Sequence, residues 1–229
     1  MADLHYERIP IIENNDPLVD IARYPFIAEP AYYKQGLSDT PYIFMRRAIA
    51  ENLARLQEIT LSGYQFKIWD CWRPRGVQAN IYNKFRQELR QKYPHWDNEK
   101  LRQQIKTYVA DPGTPGRIPP HATGGAIDLT LVDKKTGAEL DMGTGFDHFG
   151  PQADPNYFEH SGDNISVRNN RRLLHSAMCD ADFTVDPDEW WHFDYGNQKW
   201  AEAAHRETAI YGEVVNENGR FFYVDRGAK

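Results

Sequence analysis

The chain has 229 residues, of which 41% are hydrophobic and 26% charged, a composition typical of an ordinary globular protein with a sizeable core. Its net charge of −6 and the absence of a basic stripe argue against a nucleic-acid partner. No apolar run approaches the roughly 20 residues that a membrane span needs, so no membrane partner is expected either.

The N-terminal half is predicted to combine an irregular segment, one strand and three helices. Residues 1–40 are rich in Pro and Tyr and suggest a segment draped over a domain. Apolar residues at helical spacing predict a helix over 41–60, and the alternation in YQFKIWD predicts a short strand over 64–70. A second helix is expected to begin at Pro74, because the fixed φ of proline suits a first helical position. A third is predicted over 97–109.

The C-terminal half is predicted to hold the most buried strand and a long loop. The strand AIDLTL covers 126–131, and the stretch 141–165 is too long for a mere connector, which is typical of a functional loop. A helix is expected over 167–181, and EWWHFDY, residues 189–195, is expected to be a strand. The tail predicts a hairpin around residues 218–219, which are Asn and Gly.

These elements predict one α+β domain over residues 1–229, with a small, mostly antiparallel sheet flanked by helices and with the segment 1–40 packed on it. The first 16 residues show neither a basic n-region nor an uninterrupted apolar h-region. The only two cysteines, Cys71 and Cys179, could pair, but two isolated thiols fit a reducing compartment better. We therefore predict a cytoplasmic protein.

Two predicted core strands carry ionisable groups where apolar residues are expected. Asp128 lies in the middle of AIDLTL, and Glu189 and His192 bracket the two tryptophans of EWWHF. An unpaired charge in a core costs several kcal/mol, so buried carboxylates are normally paired, hydrogen-bonded or bound to a metal. The two stretches together therefore indicate a polar site inside the domain.

The residue types at this site are those of a catalytic zinc centre. Such zinc takes about three protein ligands of N and O type and keeps one position for water. His121, Asp128 and His192 form such a set, which leaves Glu189 as the expected general base. Residues i and i+3 of an extended strand point to opposite faces, so the chain must bend near residues 186–188 for Glu189 and His192 to converge.

Each spacing alone is weak evidence. H-x6-D or E-x-x-H by itself is more often a satisfied core pair or part of a surface loop. Both together, each within an apolar stretch, favour a metal. His148 and His160 on the long loop are rival ligands. The remaining histidines are predicted to be solvated: His5, His95, His175 and His205.

Several motifs together resemble one family. The strings HATGGAIDLTL, DMGTGFD, NRRLL and EWWHF, in this order, are similar to those of the D-alanyl-D-alanine dipeptidases. WDCWRP upstream is similar to the family's WDGYRP, and the likeness runs from about residue 64 to 195. These are zinc enzymes whose superfamily includes D-Ala-D-Ala carboxypeptidases and the Hedgehog amino-terminal domain.

The resemblance implies a role for each motif residue. One Zn²⁺ per chain would be held by His121, Asp128 and His192. Glu189 would be the base, and Arg73 the cation that stabilises the transition state. This agrees with the chemistry, because peptide hydrolysis places negative charge on the former carbonyl oxygen, and a fixed guanidinium aimed at that oxygen strengthens its contact as charge develops.

The pocket is expected to be walled by the long loop and by the N-terminal segment around Tyr24. By the resemblance Asp147 lies in this pocket, where a carboxylate would balance the free amine of a dipeptide; capping a turn is the alternative. Two stretches depart from the family. Pro119 replaces a common Ser, and RYPFIAEP, residues 23–30, stands where the family reads RYATxxNF. The exact dipeptide therefore stays open.

Three functions follow in order of preference. The first is zinc-dependent hydrolysis of D-alanyl-D-alanine or a similar free dipeptide, a small-molecule substrate. The second is a peptidoglycan D,D-carboxypeptidase or endopeptidase, which needs an open groove and export. The third is a non-catalytic, zinc-stabilised binding module, against which Glu189 and Arg73 argue, because a structural site needs neither a base nor an oxyanion partner. The sequence does not set the oligomeric state.

Overall fold

A five-stranded mixed sheet lies at the centre of the computed structural model, which describes residues 6–106, 109, 113–114, 116–159 and 164–224. In chain order the strands are β1 (Leu18–Asp20), β2 (Ile27–Ala28), β3 (Phe44–Arg46), β4 (Tyr64–Asp70), β5 (Ala126–Asp133), β6 (Thr184–Val185), β7 (His192–Asp194), β8 (Glu213–Glu217) and β9 (Arg220–Val224). The α-helices are α1 (Ala31–Lys34), α2 (Arg47–Ile59), α3 (Arg75–Lys92), α4 (Asn98–Lys106), α5 (Ile165–Asp180) and α6 (Gln198–Ala203).

The central sheet has the order β2-β4-β5-β7-β6. Strand β2 pairs with β4 in parallel, and the other three pairings are antiparallel. Two small sheets, β1-β3 and β8-β9, lie outside it. The predicted α+β class, with a mostly antiparallel sheet flanked by helices, is confirmed.

The main core joins this sheet to α2 and α5. Strand β5 is buried along almost its whole length because it is the middle strand of the sheet. Three alternate residues of β5 pack into this core with the inward faces of the helices: Ile127, Leu129 and Leu131 of β5, Ile49 and Leu53 of α2, and Leu174 and Met178 of α5. A second apolar cluster joins α3 and α4 through Ile81, Phe85, Leu101 and Ile105.

Three predicted elements differ from the structure. The helix expected over 41–60 begins at Arg47, because residues 44–46 form β3 and pair antiparallel with β1. The segment 1–40 is less irregular than predicted, since it also contributes β2 to the central sheet and the one-turn helix α1. Tertiary pairing of short strands carries little local signal in a sequence.

The strand expected over 189–195 is reduced to residues 192–194. Residues 187–191 turn instead, and the backbone N–H of His192 donates to the carbonyl of Glu189 at 3.2 Å. The predicted bend before His192 is thereby confirmed. The third predicted helix is α4, and Tyr108 of that prediction lies outside the described residues.

The remaining features concern the C-terminus and the surface. Strands β8 and β9 form the predicted hairpin, with Asn218 and Gly219 both at positive φ as a tight hairpin turn requires. Among the described helices, none combines the length and apolar character that crossing a bilayer requires. Cys71 is buried, Cys179 is exposed, and both are free thiols.

Candidate metal and substrate site

A row of polar residues crosses three neighbouring strands. The register pairs Asp70 of β4 with Asp128 of β5, and Asp128 with His192 of β7. A register shift between Ile68 and Asp70 makes this row possible, because without it Trp69 would stand opposite Asp128. Strand pairing thus holds these side chains next to one another.

The pleat of β5 explains why a buried strand carries a carboxylate. Successive side chains of a strand point to opposite faces, and the core contains Ile127, Leu129 and Leu131. Asp128 therefore points to the face away from that core. Phe193 of β7 packs into the same core, so its neighbours His192 and Asp194 share the face of Asp128.

His121 comes from a short 3-10 helix, residues 120–123, just before β5. Its carbonyl accepts from the backbone N–H of Arg73 at 3.1 Å and from that of Gly124 at 3.1 Å. Gly124 ends the helix at φ +71, and a Cβ there would lie 2.5 Å from Leu18 Cδ2. A Cβ on Gly125 would lie 2.3 Å from the carbonyl of Tyr195. Both glycines thus serve the turn and the close packing around it.

Three potential ligand atoms converge. His121 Nε2 lies 3.1 Å from His192 Nδ1 and 3.4 Å from Asp128 Oδ2, and His192 Nδ1 lies 3.0 Å from Asp128 Oδ1. All three residues are buried, and their donor atoms form one candidate metal cluster. In tetrahedral zinc sites with ligand distances of about 2.0–2.1 Å, neighbouring ligand atoms are about 3.3 Å apart. The separations of 3.0–3.4 Å, two of which end on different oxygens of Asp128, are of that size.

Groups behind the ligands orient both imidazoles. His121 Nδ1 lies 2.8 Å from the carbonyl of Cys71, which can only accept, so this nitrogen carries the proton and Nε2 presents a lone pair. His192 Nε2 lies 3.3 Å from Asp194 Oδ2, and Asn197 in turn donates to Asp194 at 2.6 Å. Burial lowers the pKa of His192, but Asp194 and Asp128 outweigh burial and raise it well above its usual value. A metal ion at this position would replace the proton of His192 Nδ1 that faces Asp128, because ligand histidines bind metals in their neutral form.

The charge of Asp128 agrees with this reading. Burial alone would raise its pKa, but His121 and His192 outweigh burial and hold the pKa well below its usual range. Asp128 is therefore a carboxylate at neutral pH. An ionised, fully desolvated carboxylate between two ring nitrogens is a suitable oxygen ligand for zinc.

Arg73 lies at the junction of β4 and α3 and is only 8% exposed. Its Nε donates to Asp70 at 2.7 Å, Nη1 to Gln78 at 2.8 Å, and Nη2 to Asp128 at 3.2 Å and to Tyr32 Oη at 3.3 Å. Burial opposes its charge, but Asp70 outweighs that effect and raises the pKa of Arg73. The guanidinium is thus charged, fixed and adjacent to the candidate metal cluster, unlike a surface ion pair.

Glu189 lies in the turn before β7, with Oε2 3.9 Å from His192 Nδ1. Burial raises its pKa to about 8, and the nearby carboxylate of Asp128 adds to this, while His192 opposes it. A cation at the ligand cluster favours the ionised form and lowers that pKa. Glu189 therefore stands beside the ligands without being one of them.

Asp147, in the long loop, has the left-handed backbone conformation (φ +58). Its Oδ1 accepts a hydrogen bond from Tyr32 Oη at 3.2 Å, rather than one from a backbone N–H that would cap a turn. Burial and the charge of Asp128 raise its pKa to about 7. The carboxylate is thus held on the wall of the site by a tyrosine of the N-terminal segment.

These groups border one cavity of about 510 Å³. It is lined by His121, Asp128, His192, Glu189, Arg73 and Asp147 together with Tyr32, Gln78, Arg117 and Lys199. The structure thus brings six of the seven predicted site residues together. Tyr24 is not among the described lining residues, because its ring stacks on Phe26, 6.0 Å away, against the main core. Tyr32, rather than Tyr24, is the tyrosine of the N-terminal segment that lines the cavity.

Of the two rival histidines, the one that the structure describes lies outside the cluster. His148 is exposed, and its Nε2 lies 3.3 Å from Gln152 Oε1. His160 lies outside the described residues.

Several cavity or supporting residues had a signal that the spacing argument did not use. Asp194 follows His192 by two residues, so strand alternation alone places it on the same face. Asp70 is the aspartate of WDCWRP. Tyr32, Arg117 and Lys199 have no motif spacing, because loops and short helices bring them to the cavity.

Comparison with known proteins agrees with the resemblance of the motifs. A family model described as "D-ala-D-ala dipeptidase" matches residues 24–210. A D-alanyl-D-alanine dipeptidase of Synechocystis is 30% identical to the chain, over 91% of the chain and 96% of that protein. Two further proteins of this name match, from Enterococcus faecium at 31% identity over 63% of the chain and 69% of that protein, and from Escherichia coli at 32% over 64% and 62%.

Proposed function

The chain belongs to the D-Ala-D-Ala dipeptidase family of metallopeptidases, and from that premise we propose that it hydrolyses free D-alanyl-D-alanine, or a similar free dipeptide, with one zinc ion per chain. The observation that carries the proposal is the convergence of His121, Asp128 and His192 beside Glu189 and Arg73. The two ring nitrogens lie 3.1 Å apart, and each lies 3.0–3.4 Å from one of the two oxygens of Asp128. A metal site that served only structure would need neither of these two neighbours. Action in the cytoplasm stays a prediction from the sequence.

His121, Asp128 and His192 would hold the ion. A zinc ion held there supplies Lewis-acid polarisation of the scissile carbonyl and of the attacking water. Glu189 takes the proton from that water as it attacks the carbonyl carbon. The same carboxyl then gives the proton to the leaving amine, which completes the hydrolysis without a second acid.

Arg73 stabilises the negative charge that develops on the carbonyl oxygen. Its four hydrogen bonds fix the guanidinium before the substrate arrives, so little reorganisation is needed when the charge appears. The contact with Asp128 also ties its position to the metal ligand. A donor of this kind is typically worth roughly 3–4 kcal/mol in the transition state.

Asp147 binds the free ammonium group of the dipeptide. A protonated amine beside it pulls its pKa down, so the ammonium and the carboxylate form an ion pair on binding. Tyr32 keeps the carboxylate in place through its hydrogen bond of 3.2 Å. A substrate with a blocked amine lacks the charge that this wall is built to receive.

The experiment that tests the function is a substrate panel on the metal-loaded protein. D,D-, L,L- and mixed dipeptides are assayed, each with a free and with an acetylated amine. We expect cleavage of free dipeptides with a D,D preference, loss of activity with a chelator, and recovery with zinc. Equal cleavage of acetylated dipeptides or of cell-wall pentapeptides would contradict the dipeptidase assignment and favour a carboxypeptidase.

A further inference from the structure

A free dipeptide carries an ammonium group and a carboxylate, and Asp147 can pair only with the ammonium group. We propose that Arg117 binds the carboxylate of the substrate and thereby sets the length of peptide that the site accepts. This inference rests on the dipeptidase function proposed above and adds to it a residue that the metal chemistry does not require.

Three cations line the cavity within the described residues: Arg73, Arg117 and Lys199. Arg73 is engaged by Asp70, Asp128, Gln78 and Tyr32. Lys199 is engaged too, because its Nζ lies 2.6 Å from Asp186 Oδ2. Arg73 is already assigned to the carbonyl oxygen of the substrate, and Lys199 is paired with a carboxylate of the protein, so another cation is needed for the substrate carboxylate.

Arg117 differs from both. Its Nε is buried and has no hydrogen-bond partner, and the carboxylate oxygen that comes within ion-pair range, Glu7 Oε1, lies 3.9 Å away. A buried donor left unsatisfied costs free energy, and a ligand carboxylate would satisfy it. The planar guanidinium also matches a carboxylate in shape, since two parallel N–H groups can meet its two oxygens.

The backbone of Arg117 is fixed independently of its guanidinium, which lies over the ring of Tyr6. Arg75 Nη2 donates to the carbonyl of Arg117 at 2.7 Å, and Arg75 itself is paired with the buried carboxylate of Glu213. Arg75 follows Arg73 by two residues. The same turn that positions the transition-state cation therefore positions the segment that carries Arg117.

Arg117 and Asp147 belong to different walls. Arg117 stacks over the ring of Tyr6 at 5.6 Å, and the adjacent Ile118 packs in a cluster with Trp200. Asp147 is held by Tyr32, which packs in the separate cluster of α3 and α4. A dipeptide whose scissile carbonyl lies at the metal ligands extends one residue, about 3.5 Å, to either side. Its two charges therefore need two separate walls.

The prolines near Arg117 in the cavity lining offer no hydrogen-bond donor for the carboxylate of the substrate. Pro119 and Pro120, which also line the cavity, have no backbone N–H and no hydroxyl. The described lining residues include these three cations and five carboxylates, namely Asp128, Asp147, Asp186, Asp188 and Glu189. One divalent cation balances that difference. The occupied cavity then suits a zwitterion, which is what a free dipeptide is at neutral pH.

The test compares D-alanyl-D-alanine with its C-terminal amide on the zinc-loaded wild type and on Arg117→Ala. We expect Arg117→Ala to raise KM for the free dipeptide by about ten- to hundredfold with little change in kcat, because ground-state and transition-state binding are lost together. The amide should be a poor substrate for the wild type, and the variant should no longer distinguish the two. Arg117→Lys should recover part of the discrimination.

Arg206→Ala is the matched control, since Arg206 also lies over an aromatic ring (Trp200, 5.4 Å) with a carboxylate at 3.6 Å, but outside the cavity. It should behave as the wild type. Unchanged discrimination in Arg117→Ala, or its loss in Lys199→Gln instead, overturns the inference.

Calorimetry separates this inference from the proposed function. D-alanyl-D-alanine is titrated into zinc-loaded Glu189→Ala with and without Arg117→Ala, so that binding is read without turnover. Weaker binding in the double variant supports Arg117 even if the wild type cleaves no dipeptide. Equal binding contradicts it even if the wild type is a good dipeptidase.

Discussion

The candidate metal cluster and the proposed substrate-facing walls border one cavity but are built in different ways. Asp128 and His192 are register partners on adjacent strands, and His121 precedes the same central strand by a single short turn. The walls instead rest on single side chains from irregular segments. Asp147 stands at positive φ in the long loop, and Arg117 lies on a stretch without regular structure.

This difference assigns two functions to two kinds of structure. Backbone pairing in a buried sheet fixes the ligand atoms to within a narrow range of distances, which metal binding and catalysis require. Loops tolerate substitution, so the walls can change the preferred substrate without disturbing the chemistry. Variants in the cluster should therefore abolish activity for every substrate, whereas variants in the walls should change the choice between substrates.

The largest effect is expected from the double change His121→Ala, His192→Ala. Removing two of three ligands should abolish stoichiometric zinc binding and all hydrolysis, which elemental analysis and the dipeptide assay measure. The wild type should bind about one zinc per chain. Full zinc content in the double variant would move the ligands to other histidines, with His148 and His160 the first to examine.

Glu189→Ala should keep the fold and the zinc but lower kcat by about 10³- to 10⁴-fold, because base and ligands are different residues. Zinc content, thermal unfolding and kcat are measured on the same preparation. Binding of a phosphinate analogue of the dipeptide should weaken less than the rate falls. Near wild-type turnover would show that another group takes the proton.

Arg73→Lys should lower kcat by about a hundred- to thousandfold for every dipeptide, since an ammonium cannot reproduce a planar fork that contacts Asp70, Gln78 and Asp128 at once. Lys67→Arg is a control for the exchange itself, because Lys67 pairs with Glu29 and Glu139 on the surface. A rise in KM alone would show that Arg73 binds the substrate uniformly rather than stabilising the transition state.

The cluster could be predicted from the sequence because its signals are local and periodic. A carboxylate in an apolar strand and a histidine after two tryptophans contradict the expected pattern, and such contradictions mark functional sites. The strands that were missed, β1 to β3 and β6, are three residues long at most and owe their existence to pairing with other strands.

The walls could be predicted only in part. Asp147 was predicted through a motif. Tyr24 was predicted from residues 23–30, which depart from the family's pattern, and the structure places Tyr32 at the cavity instead. Strand β2 and helix α1 decide which tyrosine turns inward, and neither has a clear local signal. The position of a loop residue depends on tertiary contacts that spacing rules do not encode.

Asp147→Asn should lower kcat/KM for the free dipeptide by at least about a hundredfold, because the buried ammonium of the substrate loses its counter-charge. Amine-acetylated dipeptide should be inert with the wild type, and the variant should narrow the gap between the two substrates. A smaller difference in kcat/KM between the free and the acetylated dipeptide would identify Asp147 as a residue that binds the amine. A fall in kcat at unchanged KM for the free dipeptide would instead place Asp147 in the catalytic machinery.

The smallest effect is expected from Tyr32→Phe, which touches both regions at once. Its hydroxyl donates to Asp147 at 3.2 Å and accepts from Arg73 at 3.3 Å, while the ring stays over the Arg73 guanidinium at 4.5 Å. Phenylalanine keeps the ring, and Arg73 keeps three other hydrogen-bond partners, so the catalytic cation should stay in place.

We therefore expect Tyr32→Phe to raise KM for free dipeptide by about tenfold and to leave kcat nearly unchanged, because only the support of Asp147 is lost. Tyr33→Phe is the control, since Tyr33 is the neighbouring, exposed tyrosine outside the cavity. In Asp147→Asn, adding Tyr32→Phe should cost little more, because the two changes remove the same contact. A fall in kcat at constant KM would instead mean that the hydroxyl acts through Arg73. Tyr32 would then belong to the catalytic cluster rather than to the wall.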